Sequence, residues 1–168
     1  MVRGSPNPKH LDVPARLRTA RTRAKSTRMA LAERAGVSDA TVRQIEAGTR
    51  MPTVGTLAKL AEALGLSAAW LTYGAGEPSA TGPASCEGMG ERLRQAMADR
   101  ALSRTALARL AERSPPTLTA IENGGQAGVD TVEALAKALR VSPAWLAFGV
   151  EPRELPPRRR AASVPDSR

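Results

Sequence analysis

The sequence predicts an all-α protein made of two tandem copies of one five-helix unit. Three observations support this prediction. The stretch SDATVRQIEAG (38–48) returns as SPPTLTAIENG (114–124), an offset of 76 residues. Apolar residues recur at steps of three and four in both copies, which is the spacing of amphipathic helices. Ser or Thr precedes most of the expected helices, where a hydroxyl can cap the first turn.

Copy one (14–74) is expected to contain helices at 14–24, 28–35, 39–46, 53–64 and 67–73. The N-caps expected from the sequence are Thr27, Ser38 and Ser67. Val42 and Ile45 share the apolar face of the third helix and should belong to the core.

Copy two (90–149) repeats this plan, with helices expected at 90–100, 104–111, 115–122, 130–139 and 142–148. Its expected caps are Ser103, Ser114 and Ser142. The segment TLAKLAEALGLSAAWLTYG (56–74) aligns with TVEALAKALRVSPAWLAFG (131–149) at an offset of 75, so a one-residue deletion falls in the loop after Gly48. All four aromatic residues lie in these last segments, and core packing is favoured for them over ligand stacking, with a dimer contact as a further alternative.

The remaining segments differ in composition from the two copies. Residues 75–89 are rich in Gly, Ser and Ala, and we expect them to form a flexible linker. Residues 1–13 and 150–168 are rich in proline or charge and are expected to be disordered. The second tail includes Arg158, Arg159 and Arg160, which would attract a polyanion without regard to sequence.

Composition limits the functions that the chain can have. The net charge is +9 and the pI is about 11.1, which points to a polyanionic partner such as nucleic acid or an acidic membrane surface; the alternative is that the charge keeps an Ala-rich chain soluble. One cysteine, Cys86, and one histidine, His10, rule out a disulfide framework and a Cys/His zinc site. Because the sequence has no long apolar run and no signal peptide, we expect a cytoplasmic protein with no membrane partner. We also expect no cofactor, and an association with the nucleoid if the chain binds DNA.

The turn between the second and third helices of copy one points to DNA binding. Two short helices joined by Ala35-Gly36-Val37-Ser38 have the layout of a helix-turn-helix, in which Gly36 permits a positive φ. The N-terminal end of the second helix of such a pair faces the major groove.

Copy one resembles the DNA-binding domain of the phage-repressor family, the Xre-type group of the lambda and 434 repressors and Cro. The resemblance rests on ALAERAGVSDATVRQIEAGTRMPTVGTLAKLAEALGLS, covers 15–74 closely and extends to 90–149 more loosely. It implies two tandem helix-turn-helix domains of the lambda-repressor type. The base-reading positions that it implies in copy one are Asp39, Ala40, Thr41, Arg43 and Gln44.

The side-chain chemistry suits these positions. Arg43 can bind guanine and Gln44 can bind adenine through two hydrogen bonds each, and Asp39 can accept from cytosine. The resemblance further implies phosphate contacts by Arg28 and Arg50. It also implies a pair between Arg21 and Glu46 that fixes the third helix near DNA.

Copy two has lost these reading side chains. Pro115, Pro116, Thr119 and Ala120 replace polar residues of the third helix, and Met97 stands where copy one has Arg21. Arg104 and Thr117 remain as phosphate candidates. Two interpretations stay open: copy two contacts DNA weakly or by shape, or it serves dimerisation or partner binding, which the residue loss favours slightly.

The expected function is that of a bacterial sequence-specific transcriptional regulator that binds double-stranded DNA. A repressor is favoured, because repression requires only that an operator be occupied. Further candidate partners are a second copy of the chain and a protein bound by copy two. The alternative is an interaction module such as an antitoxin or adaptor. We expect no enzymatic activity, since the sequence has no nucleophile and base arrangement and no phosphate-binding glycine loop.

Overall fold

A computed structural model describes residues 12–79 and 86–154, in which the chain forms ten α-helices and no β-strand. The all-α prediction is confirmed, and every helix end lies within two residues of its expected position. Copy one contains α1 (Asp12–Arg23), α2 (Arg28–Ala35), α3 (Asp39–Glu46), α4 (Val54–Leu64) and α5 (Ala68–Tyr73). Copy two contains α6 (Met89–Asp99), α7 (Arg104–Leu110), α8 (Pro115–Glu122), α9 (Val129–Ala138) and α10 (Pro143–Phe148).

The described ranges exclude most of the expected N-terminal tail, the middle of the linker and Arg158–Arg160. Within these ranges, no helix has both the length and the apolar character needed to cross a membrane.

Side-chain caps begin most of the helices, as the sequence predicts. The six predicted hydroxyls each accept a hydrogen bond from a backbone N–H in the first turn of the following helix. Thr53 caps α4 in the same way, which the sequence reading missed. Pro115 and Pro116 occupy the first two positions of α8, where the backbone N–H has no partner within the helix, so the helix forms despite them.

The left-handed turns of copy one persist in copy two even where glycine is lost. Gly36 has φ 62°, and its counterpart Glu112 has φ 53°. Gly65 has φ 65°, and its counterpart Arg140 has φ 51°. A residue with a side chain is strained by roughly 1–2 kcal/mol in this region. The surrounding packing therefore holds copy two in the backbone conformation of copy one.

Each copy buries the apolar face that its helical spacing predicts. Val42 and Ile45 of α3 are buried, which confirms that they belong to the core. Tyr73, Trp145 and Phe148 are buried as well, and Trp70 packs against the core while remaining half exposed. The predicted core packing of the aromatic residues is thus confirmed for these side chains.

The two copies pack against each other through matching parts. Helix α5 contacts α10, and the Tyr73 and Phe148 rings lie 6.2 Å apart between centroids. The Val54 amide donates to the Ala127 carbonyl at 2.9 Å, and the Val129 amide donates to the Pro52 carbonyl at 3.2 Å. Buried residues of both copies form one hydrophobic cluster. The duplicated units therefore share an interface.

Each copy also ends later than the sequence suggests. The Ser67 amide donates to the Pro78 carbonyl at 3.0 Å, and at the same place in copy two the Ser142 amide donates to the Arg153 carbonyl at 2.7 Å. Arg153 also pairs with Asp99 and lies 4.7 Å from the ring centroid of Trp145. Residues 150–154 were expected to be tail, but in the structure they pack on copy two because these contacts hold them there.

Candidate nucleic-acid interface

The turn between α2 and α3 has the backbone geometry that places the start of α3 at the surface. Gly36 ends α2 in the left-handed conformation, and the Val37 amide donates to the Ala32 carbonyl at 2.9 Å. The Ser38 hydroxyl then accepts from the Thr41 amide at 3.1 Å and caps α3. The same hydroxyl also shares a 2.9 Å hydrogen bond with the Thr41 hydroxyl. The two helices pack directly on each other.

The predicted base-reading residues lie on the outer side of α3. Asp39 and Arg43 are exposed, whereas Ala40, Thr41 and Gln44 are half buried. Since Val42 and Ile45 occupy the opposite face, burial fixes which side of α3 faces outward. The five side chains form one solvent-facing surface, which we call the α3 surface. It carries one cation, one anion and one amide.

A charge network lies directly behind the α3 surface. Arg21 donates to both carboxylate oxygens of Glu46, from Nε at 2.6 Å and from Nη2 at 3.1 Å. Arg28 donates from Nε to Oε2 of the same carboxylate at 2.7 Å. The Glu46 side chain is only 1% exposed, so this carboxylate joins α1, α2 and α3 at one buried point.

The pKa of Glu46 reflects this pairing. Burial by itself raises the pKa, but the hydrogen bonds and charges of Arg21 and Arg28 outweigh burial and lower the pKa below its ordinary value. The hydrogen bond to Glu46 in turn raises the pKa of Arg21. Glu46 therefore stays ionised at neutral pH and holds both guanidinium groups in place.

The two phosphate candidates of copy one lie near the end of α3. Arg28 binds Glu46, yet 44% of its side chain remains exposed. Arg50 is exposed in the loop after α3, with Nη1 3.5 Å from Oε1 of Gln44, the outer limit of a hydrogen bond. Both cations thus lie near the C-terminal end of α3, beside Glu46 and Gln44.

Sequence reasoning missed two arginines of α1 that position the neighbouring helices. Arg16 donates to the carbonyls of Leu71 and Thr72, both at 2.9 Å, and so binds the end of α5. Burial lowers the pKa of Arg16. Arg18 donates to the Glu46 carbonyl at 3.1 Å, where α3 ends. The signal was present in the repeat, because the trio RLR at 16–18 returns unchanged at 92–94.

Copy two keeps part of the supporting contacts and lacks the charged and amide side chains of the α3 surface. Arg104 binds the carboxylate of Glu122, and Arg94 donates to the Glu122 carbonyl at 3.2 Å, as Arg18 does to Glu46. Met97 is buried where Arg21 would complete the network. The outward residues of α8 carry no charge; they are Pro115, Pro116, Thr119 and Ala120, all exposed, and the half-buried Thr117. The Thr117 hydroxyl shares a 2.8 Å hydrogen bond with Ser114.

Comparison with known families agrees with this geometry. A family model described as Helix-turn-helix matches residues 17–71, and another described as Helix-turn-helix domain matches residues 89–147. Both copies are helix-turn-helix domains. Their tandem order is consistent with Xre-type domains. No curated protein and no solved structure matches the chain.

Helix-turn-helix domains support the assignment of this chain as a DNA-binding regulator. Families of this type are typically non-enzymatic. The two domains differ in charge: residues 15–74 contain ten Lys or Arg and four Asp or Glu, a net of +6, whereas residues 90–149 contain eight and six, a net of +2. The first domain is therefore better suited to phosphate than the second.

Proposed function

We propose that the chain is a sequence-specific transcriptional regulator that reads the major groove with α3 and acts as a repressor. The observation that supports this most strongly is the α3 surface, where Arg43 and Gln44 face outward from a helix held by the buried network of Glu46. A reading helix must be fixed, because a side chain that is misplaced by an ångström loses a bidentate contact. The network of Arg21, Glu46 and Arg28 supplies that fixation.

In this proposal, Arg43 and Gln44 specify bases, and Asp39, Ala40 and Thr41 shape the fit at the start of α3. Arg28 and Arg50, near the C-terminal end of α3, bind phosphates and orient the helix. Repression follows from occupancy of an operator that overlaps a promoter. The same binding would keep the protein on the nucleoid.

Selection of binding sites from a library of random duplexes, followed by gel-shift titration, tests the proposal. We expect the full chain to enrich a defined site at about 150 mM salt. The double variant Arg43→Ala, Gln44→Ala should bind this site at least about tenfold more weakly, since each bidentate contact contributes about 1–3 kcal/mol of discrimination.

The matched control is the double variant Gln95→Ala, Arg100→Ala. It removes the same two residue types from exposed positions, one within α6 and one directly after it. Its site affinity should stay within about twofold of the parent. Enrichment of no site, or an equal loss in both double variants, contradicts the assignment of α3 as the reader.

A further inference from the structure

The contacts between the two domains have the pattern of a two-fold interface. Tyr73 contacts Phe148, and Thr53 pairs with Gly128; in each case a residue meets its own counterpart in the repeat, 75 positions later. The remaining backbone contacts occur in reciprocal form. The Val54 amide donates to the Ala127 carbonyl, and the Val129 amide donates to the Pro52 carbonyl. Val54 and Val129 occupy the same place in the repeat, and so do Pro52 and Ala127.

This reciprocity defines an isologous interface, in which each partner uses the same patch. A homodimer obtains such an interface from two chains. Here, one chain supplies both sides, and the pseudo-two-fold axis passes between Tyr73 and Phe148 and between Thr53 and Gly128. Contacts between matching residues are not expected for two domains that are held together only by a flexible linker. The matching contacts therefore indicate a specific interface.

The axis relates α3 to α8. Only a short loop separates each of these helices from the residues that pair at the axis. Six residues lead from the end of α3 to Pro52, a distance of at most about 20 Å, and five residues lead from the end of α8 to Ala127. The centres of two helices that occupy successive major grooves on one face of DNA are roughly 34 Å apart. Loops of this length on both sides of the axis can span that separation.

The outward side of α8 suits a different kind of base contact from that of α3. The rings of Pro115 and Pro116 and the methyl groups of Thr119 and Ala120 are exposed and uncharged. Apolar groups in the major groove contact the methyl group of thymine. The Thr119 hydroxyl donates to the Pro115 carbonyl at 3.2 Å, so the methyl group is the part of this side chain left for DNA. Arg104 takes the place of Arg28: its guanidinium binds Glu122, and 49% of the side chain is exposed toward solvent.

We propose that α8 is a second DNA-contacting helix, so that one chain occupies both halves of an inverted, asymmetric operator. The half bound by α3 is read by Arg43 and Gln44, and the half bound by α8 is selected for thymine methyls by the apolar surface of that helix. This inference rests on the proposed function, because it requires α3 to bind DNA in the major groove. Duplex DNA has two-fold axes of its own, and a pseudo-two-fold protein that aligns with one of them meets its half-sites as an inverted repeat, never as a direct repeat.

The test transplants the reading residues of α3 onto α8 in the full chain. The variant carries Pro115→Asp, Pro116→Ala, Thr119→Arg and Ala120→Gln, all at exposed positions below the same serine cap, so the fold should be kept. Sites are then selected from random duplexes for the parent and the variant. The parent should select one strongly specified half-site and one thymine-rich half-site about one helical turn away.

The variant should select an inverted repeat of the strongly specified half-site at the same spacing, and should bind that symmetric site at least about tenfold more tightly than the parent does. Native mass spectrometry should count one chain per duplex for both proteins. One additional base pair between the half-sites should weaken binding by at least about tenfold, because the paired domains cannot follow it.

Several results overturn the inference while leaving the proposed function intact. Two chains per duplex on a symmetric parental site mean that copy two serves dimerisation. A single half-site in both proteins means that α8 lies off the DNA and is available to a protein partner. A direct repeat, or equal binding at several spacings, means that the two-fold contact does not hold on DNA. Failure of the parent to enrich any site contradicts the proposed function itself.

Discussion

Replacing Arg21 by methionine gives α3 the supporting contacts that α8 has. Arg21 donates two hydrogen bonds to Glu46, at 2.6 and 3.1 Å, and one to the Ser26 carbonyl at 2.9 Å. The variant leaves Glu46 with Arg28 alone, as Glu122 has Arg104 alone. Met97 shows that methionine fits at the counterpart position, where it is 9% exposed.

The expected loss follows from these contacts. A hydrogen bond to a charged group contributes about 1.5–3 kcal/mol, and Arg28 remains to offset part of the burial of Glu46. We therefore expect Arg21→Met to lower the free energy of unfolding by about 2–3 kcal/mol at pH 7. The lowered pKa of Glu46 contributes stability above its unfolded value near 4.5, and this stability is lost as the pH falls through the folded value. The difference between parent and variant should therefore shrink in acid.

Urea unfolding followed by circular dichroism at pH 7 and at about pH 3 measures both effects. The reciprocal variant Met97→Arg is the control, because it offers Glu122 the second guanidinium that Glu46 has and should raise stability at pH 7. A loss under about 0.5 kcal/mol for Arg21→Met, or a loss of the same size at both pH values, would refute the role given to the network.

Three further changes test the interface and the turns by the same unfolding measurement. Tyr73→Phe removes a buried hydroxyl that has no hydrogen-bond partner among the described residues, so stability should be unchanged or higher by up to about 1 kcal/mol at pH 7. Burial raises the pKa of Tyr73, so the parent should lose stability more steeply than the variant as the pH rises above about 10. A loss of stability in the variant at pH 7 would contradict the unpaired state of the hydroxyl. Phe148→Ala removes a ring that is 1% exposed and should lower stability by about 3–5 kcal/mol, and a loss under about 1 kcal/mol means that the interface is loose. Glu112→Gly relieves the left-handed turn and should stabilise the chain by up to about 1 kcal/mol, so any destabilisation speaks against strain there.

The helices were predictable because their signals are local. Apolar spacing and serine or threonine caps act within one or two turns, and the caps at Ser38 and Ser114 lie where the sequence places them. The turn at Glu112 was not predictable in this way, since a non-glycine residue usually avoids a positive φ. Tertiary packing keeps the turn there, and no local pattern reports such packing.

The candidate site was predictable in its outline only. Exposure of Arg43 follows from the apolar face on the other side of α3. The link from Arg28 to Glu46, 18 residues apart, and the pairing of Val54 with Ala127 depend on how elements meet in space. The sequence did contain one trace of the interface, since aromatic residues occur at the same place in both copies, yet burial in separate cores explains that pattern equally well.

The most direct test of base reading by α3 is a comparison of binding affinities across all single-base variants of the strongly specified half-site. These affinities are measured for the parent and for Gln44→Ala. If Gln44 reads a base, its removal flattens the preference at one or two adjacent positions, by about 1–3 kcal/mol, and leaves the preferences elsewhere unchanged. An unchanged preference at every position, or an even weakening across all sequences, would show that Gln44 does not read bases and would contradict the account.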